Sequence, residues 1–149
     1  MNVLALDIGD ARVGIASGSD SSQIATPLKV LSLDDIMNKS KDFKLILDDY
    51  MPEKFIIGLP KSMDGEENAQ AVHVKDIADE IALLYGLPVE FVDERLSSVE
   101  AKAILREQGL SEKEMRGKVD SVAASLFLET WLDQQNKKID TSKSEKRNE

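Results

Sequence analysis

The stretch Val3-Leu4-Ala5-Leu6-Asp7-Ile8-Gly9-Asp10, followed by Arg12-Val13-Gly14-Ile15-Ala16-Ser17, decides the architecture. Val3 to Ile8 is an apolar run interrupted only by Asp7, the pattern of a strand buried on both faces. Gly9-Asp10 is a turn signal, and Arg12 to Ser17 reads as a second strand, so the two form a hairpin. A third strand is centred on Leu28-Lys29-Val30-Leu31 within Ile24–Leu33. A hairpin-built start with an apolar first strand implies a sheet in which that strand is central.

Working outward, Asp34 begins a helical span in which Ile36, Phe43, Leu45, Ile46 and Tyr50 fit one stripe only loosely. Lys54 to Leu59 is a fourth strand, closed by Pro60. After the polar loop through Asp64-Gly65, a long helix carries Val74, Ile77, Ala78, Ile81 and Leu84 on one face and stops at Gly86. Pro88 opens a short strand, Val89 to Val92. Ser97 and Glu100 have capping-box spacing before a helix that ends near Gly109, and Ser111 with Glu114 repeats it for a short turn. Val119, Val122, Ala123, Leu126 and Thr130-Trp131 set a last helix on the core. The order β-β-β-α-β-α-β-α-α predicts an α/β fold, a five-stranded mixed sheet in the order 3-2-1-4-5 with helices on both faces.

The length of 149 residues corresponds to one domain, here residues 1–135. The tail 136–149 holds five Lys and Arg, three Asp and Glu and a single apolar residue, Ile139, and is expected to be disordered. Apolar residues make up 42% and charged residues 32%, the balance of a soluble globular protein. The absence of cysteine excludes disulfides, thiolate metal sites and a cysteine nucleophile. No run approaches the roughly 18 apolar residues of a membrane helix, and no basic leader precedes Val3, so a cytoplasmic location without membrane attachment is expected. The net charge of −9 speaks against a phosphate-rich partner at first sight, but a local basic patch can still bind one.

Three acids stand in unusual places. Asp7 lies near the carboxyl end of the apolar first strand, where an unpaired buried carboxylate costs several kcal/mol. Its competing reading is a turn cap. Glu94, in Phe91-Val92-Asp93-Glu94-Arg95, leaves a strand for a loop at the edge where open α/β sheets bind ligands, and it could equally form a surface ion pair with Arg95. Strand alternation lets only one of Asp93 and Glu94 point the way Asp7 does. Asp120 opens the last helix, a position the helix dipole favours without any further role. If the three meet, they repel unless a cation joins them, and an all-oxygen set suits Mg²⁺ or Mn²⁺. His73, the only histidine, falls mid-helix among Ala71, Val72 and Val74 and reads as an ordinary helical side chain. No G-x-S-x-G elbow and no P-loop lysine motif is present.

Four blocks in order carry a family resemblance: Asp7-Ile8-Gly9-Asp10-Ala11-Arg12-Val13-Gly14-Ile15-Ala16; Ile57-Gly58-Leu59-Pro60 with Met63-Asp64-Gly65; Asp93-Glu94-Arg95-Leu96-Ser97-Ser98; and Val119-Asp120-Ser121-Val122-Ala123-Ala124. Over about residues 2–133 the chain resembles the YqgF/RuvX family. These are small bacterial proteins of ribonuclease H-like fold, assigned to processing of precursor 16S ribosomal RNA and earlier to Holliday-junction resolution. The resemblance implies a metal-dependent phosphodiesterase using two ions, with Asp7 bridging and Glu94 and Asp120 each completing one site. Two ions about 3.5–4 Å apart activate a water and stabilise the leaving oxygen.

Arg12, Lys61, Arg95, Arg116 and Lys118 are the cations near these blocks and the candidates for contacting nucleic acid. The chain departs from the family pattern at Ser98, where Thr is usual, and at Glu66-Glu67-Asn68, which replaces a smaller stretch. Ala123 stands three residues after Asp120, where junction resolvases of this fold carry a further acid or histidine. That favours precursor 16S ribosomal RNA as substrate over branched DNA, with a junction resolvase and a non-catalytic nucleic-acid- or ribosome-binding module as alternatives. The oligomeric state is open at this level.

Overall fold

The computed structural model describes residues 1–60, 66, 68–94 and 97–147, without the side chains of 98 and 139–147. Strands β1 (Asn2–Ile8), β2 (Arg12–Ser19) and β3 (Ala25–Ser32) are followed by helices α1 (Leu33–Met37) and α2 (Lys41–Tyr50). Then come β4 (Lys54–Leu59), α3 (Ala69–Tyr85), β5 (Val89–Asp93), α4 (Ser97–Glu107), α5 (Glu112–Arg116) and α6 (Val119–Arg147). The five strands form one sheet in the order β3-β2-β1-β4-β5, as the hairpin and crossover rules require. β1 pairs antiparallel with β2 and parallel with β4, so its apolar run has a neighbour on either side. β3 lies at an edge, and Pro27, which has no N–H to give a ladder, sits there beside an irregularity in the β2–β3 register.

Strand alternation divides the core in two. Leu4, Leu6, Val13, Ile15, Phe55 and Ile57 point to the face covered by α1, α2 and α3, through Ile36, Phe43, Ile46, Val74, Ile77 and Ile81. Val3, Ala5, Ala16, Ala25, Ile56 and Val92 point the other way, onto Ala124, Phe127, Leu128, Trp131 and Leu132 of α6. Residues on this second face are small, so α6 lies close to the strands. A β-carbon on Gly18 would meet Leu128 and Leu132 at 3.1 and 3.2 Å.

Some sequence expectations shift. The span after Asp34 is two helices, because Lys39 adopts φ 54° and the Ser40 side chain accepts from the Phe43 N–H to start α2 afresh. Leu45 and Tyr50 are consequently exposed. The buried side of α6 includes Phe127, Leu128 and Leu132, while Val122 and Leu126 are only partly buried and Thr130 is exposed. The sequence reading took one narrow stripe, but α6 is wedged between the sheet and α4. Ser97 is the first residue of α4 rather than preceding it, whereas the Ser111–Glu114 capping box forms as expected. Beyond Gln135, where composition predicts disorder, the backbone continues as helix to Arg147. Lys137 pairs with Asp133 one turn earlier at 3.1 Å, the local kind of contact that supports a solvated helix. Among the described residues, no helix is long and apolar enough to cross a membrane.

Candidate functional site

The parallel strands β1, β4 and β5 end at one edge, and the three unusual acids are found there. Asp7 is the penultimate residue of β1, paired in register with Gly14 of β2. By alternation from Val3 and Ala5 it faces the α6 side of the sheet. Glu94 follows β5 directly; its N–H donates to the Leu59 carbonyl at 3.3 Å, and its own carbonyl accepts from the Ser97 N–H at 2.9 Å. The loop after β5 is thereby tied to β4 on one side and to α4 on the other. Asp120 is the second residue of α6.

Two glycines make the convergence sterically possible. A β-carbon on Gly58 would lie 2.6 Å from Glu94 Oε2 and 2.7 Å from the Phe127 ring, so the carboxylate occupies space that only glycine leaves open. A β-carbon on Gly14 would lie 2.1 Å from the Asp120 carbonyl carbon and oxygen. Both glycines face α6, and neither adopts a left-handed backbone, so close approach alone is what they provide. The sequence reading missed this role. A clue was available, since Gly14 and Gly58 interrupt strands next to the acid-bearing blocks.

The Asp7 and Glu94 carboxyls neighbour one another and shift each other's titration. Burial raises the Asp7 carboxyl to about 6; the hydrogen bond to Glu94 opposes that shift and the Asp120 charge adds to it. Burial pushes Glu94 up further, to about 10, reinforced by the Asp7 charge, the hydrogen bond to Asp7, and the charges of Asp120 and Asp93. Both shifts have one cause in common: carboxyls crowded together away from water favour holding a proton. Asp93, one residue earlier, is exposed.

Asp120 is half-buried and faces Arg12, whose Nε lies 3.5 Å from Oδ2. The Arg12 Nη1 also donates to the Arg116 carbonyl at 3.4 Å, fastening the end of α5 to the start of β2. Among the described residues, no three acids or histidines close into a preformed metal cage. The donor chemistry nevertheless fits a hard divalent cation: the neighbouring acidic groups are carboxyls, and their mutual repulsion is what a cation would relieve. His73 is exposed on α3, over the opposite face of the sheet, and is no part of this set.

Of the five cations singled out by sequence, Arg12 and Arg116 line a hollow of about 280 Å³ with Lys102, Val119 and Asp120. Lys118 is exposed just before α6. Lys61 and Arg95 lie outside the described residues, as do Ser98's side chain and Glu67. Asn68 has a structural role, its Oδ1 accepting from the Ala71 N–H at 2.9 Å to cap α3. Lys102 and Arg106 were overlooked. They are spaced i,i+4 on α4, a signal the sequence contained, but it did not say which way that helix face turns. A larger cavity, about 420 Å³, opens near the amino end of β1 between Asn2, Ser17, Ser19 and Tyr50, away from the acids.

Comparisons with known proteins bear on the family and the fold. A protein of Anaeromyxobacter sp. named "Putative pre-16S rRNA nuclease" is 41% identical over 138 residues, covering 89% of this chain and 97% of its own. One of the same name from Acaryochloris marina is 36% identical over 134 residues, covering 90% and 93%. Among solved structures, the Fowlpox virus resolvase bound to Holliday junction DNA aligns with a TM-score of 0.52 at 11% identity, covering 90% of this chain and 98% of that one. The yeast mitochondrial Holliday junction resolvase Ydc2 also gives 0.52, at 12% identity, covering 90% and 78%. At those identities the two structures bear on the fold alone, the ribonuclease H-like sheet. Residues 1–134 match the family described as "RuvX: Holliday junction resolvase", and with relatives of such identity over nearly its whole length, the chain belongs to the RuvX family.

Proposed function

We propose that this protein is a metal-dependent nuclease that hydrolyses phosphodiester bonds in precursor 16S ribosomal RNA, with Asp7, Glu94 and Asp120 as the residues that hold Mg²⁺ or Mn²⁺. The observation that carries the reading is the convergence of Asp7 and Glu94, part-buried and both raised above the ordinary carboxyl range, beside Asp120 at the carboxyl edge of the parallel strands. Such a pair is unfavourable for folding unless it serves a ligand, since two apolar side chains of like size would cost less. The substrate assignment is supported by the names of the relatives at 41% and 36% identity.

When bound, two divalent ions supply an activated water and charge stabilisation for the leaving oxygen. The chain's own residues do the rest. Asp7, fixed in the central strand, gives the cluster its rigid member. Glu94 would hold the ion as a carboxylate, and so would bind it only in its deprotonated form. Asp120 is oriented by Arg12, which also presents its remaining guanidinium edge toward the phosphate. Gly14 and Gly58 bring the second and third carboxylates within reach of the first.

The test is incubation of purified protein with Mn²⁺ or Mg²⁺ and a panel of precursor 16S ribosomal RNA, unstructured RNA and four-way DNA junctions. Metal-dependent cleavage of the precursor, absent in Asp7→Asn, is the expected result. Cleavage confined to the junctions would replace this reading with the resolvase activity that the family description carries. RNA binding without cleavage, unchanged in Asp7→Asn, would make the protein a binding module.

A further inference from the structure

Beside the carboxylates the surface is cationic on a chain that holds only 19 Lys and Arg against 28 Asp and Glu. Two hollows adjoin there. The inner, about 280 Å³, is bounded by Arg12, Lys102, Arg116 and Asp120; the outer, about 220 Å³, by Lys102, Arg106, Glu112 and Arg116. Lys102, Arg116 and Val119 are common to both, so the hollows form one groove that begins at Asp120 and runs outward along α4. Lys102 and Arg106 are four residues apart on that helix, about 6 Å along its axis. That separation is comparable to the spacing of successive phosphates in an extended strand.

Arg12 is held by Asp120, but the other three cations are weakly engaged by the protein itself. Among the described residues no carboxylate pairs with Lys102 or Arg116. Arg106 reaches Glu112 only at 4.0 Å, and both side chains are exposed, a contact that contributes little. Asp120 and Glu112 offset only part of the charge of four clustered cations, which leaves the groove favourable to a further anion. The groove contains no aromatic side chain on which a base could stack, and its walls are cationic heads over Met115 and Val119. A linear polyanion read through its charges, without base recognition, fits such a surface.

We propose that this groove holds the sugar-phosphate backbone of the substrate strand to one side of the bond that is cut, with Lys102 and Arg106 as phosphate-binding residues. The proposal rests on the nuclease reading for its orientation, from Asp120 outward. Arg12 and Arg116 contact phosphates nearest the cut; Lys102 and then Arg106 contact those further along. Glu112 on the rim competes with phosphate for Arg106.

The test is fluorescence anisotropy of a labelled 20-nucleotide RNA with the full-length protein in EDTA, between 50 and 200 mM KCl, so that cleavage plays no part. Removing two phosphate contacts in Lys102→Ala/Arg106→Ala should weaken binding by about tenfold at the low salt. The slope of log affinity against log salt should become shallower by about 1.4, the counterions of two single-strand phosphates. Arg106→Ala alone should give about half that slope change, and Glu112→Gln should tighten binding a few-fold. Lys41→Ala/Lys44→Ala, on α2 over the other face of the sheet, should bind as the native protein does. Unchanged affinity and slope in the double variant, or no RNA binding by the native protein, would overturn the proposal. So would a polyglutamate peptide whose binding depends on Lys102 and Arg106 while that of RNA does not. The nuclease reading is judged separately, by hydrolysis of a small chromogenic phosphodiester with Mn²⁺, which has no flanking phosphates. If that fails while the RNA-binding differences hold, the groove stands and the chemistry falls.

Discussion

Gly14 of β2 and Asp120 of α6 meet backbone to backbone: a β-carbon on Gly14 would fall 2.1 Å from the Asp120 carbonyl carbon and oxygen and 2.6 Å from the Ser121 nitrogen. The contact sets the height of the α6 amino terminus above the sheet. Because Gly14 is also the register partner of Asp7, the same pair of strands that buries Asp7 places Asp120 over it. Spacing between two catalytic candidates, far apart in sequence, is thus fixed by one missing methyl group.

Gly14→Ala must therefore move backbone, not a flexible side chain. Overpacking of this kind typically costs about 1–3 kcal/mol, and rigid main chain on both sides puts it at or above the upper end. Gly58→Ala meets the movable end of Glu94 and one edge of Phe127, so it should cost less stability while displacing the carboxylate. Urea denaturation and nuclease assays of both variants check this. The expected pattern is a large loss of stability in Gly14→Ala and a larger loss of activity than of stability in Gly58→Ala.

The three acids should separate function from stability in opposite directions. Asp7→Asn removes charge from a buried, repelling cluster, so the metal-free protein should be as stable as the native one or more so, while cleavage is abolished. Glu94→Gln should likewise lose activity. Asp93→Asn should be far milder, since Asp93 is exposed at the end of β5 and Glu94 is the one bonded to Asp7. Melting temperature paired with Mn²⁺-dependent rate decides it. An inactive Asp93→Asn beside an active Glu94→Gln would identify the wrong carboxylate.

The sheet was legible because its evidence is local. Val3–Ile8 is apolar on both faces only if it is central, and the hairpin after it leaves one place for β4 and β5. Asp7, Glu94 and Asp120 stood out because each breaks a local pattern. What was not legible depends on orientation between elements. The turn of α4 that brings Lys102 and Arg106 to the groove is set by packing against α6, which no periodicity records. The break at Lys39 was missed because its left-handed φ is unusual for a lysine and carries no sequence signal, whereas Ser40 after it did offer a cap.

The tail offers a test of what a helix needs in order to matter. The last buried side chains of α6 are Trp131 and Leu132, and residues past Gln135 bury none among those described. We expect truncation after Gln135 to shift the melting temperature by no more than a degree or two, because a segment with a single apolar residue has too little to bury to offset its ordering. Its five cations should contribute to RNA affinity at low salt and not at high salt. A fall of many degrees in a thermal melt would show that the tail docks on the body.

The raised Asp7 and Glu94 carboxyls predict an unusual pH dependence of the metal-free protein. For a carboxyl whose value is raised by folding, the native state binds the proton more tightly than the unfolded chain does. The stabilisation is then complete below the unfolded value and is lost as pH rises through the folded one. For Asp7 that window runs from about 4 to about 6, and for Glu94 from about 4.5 to about 10. Stability in EDTA should therefore fall as pH rises above neutrality. Glu94→Gln, which cannot titrate, should flatten that slope relative to the native protein. Binding of Mn²⁺ must displace the proton, so its affinity should rise over the same range, with proton release measurable by calorimetry in buffers of different ionisation enthalpy. A native protein whose stability is flat above neutrality and indistinguishable from that of Glu94→Gln would mean that Glu94 is already ionised there and that the crowding of the carboxyls does not raise it.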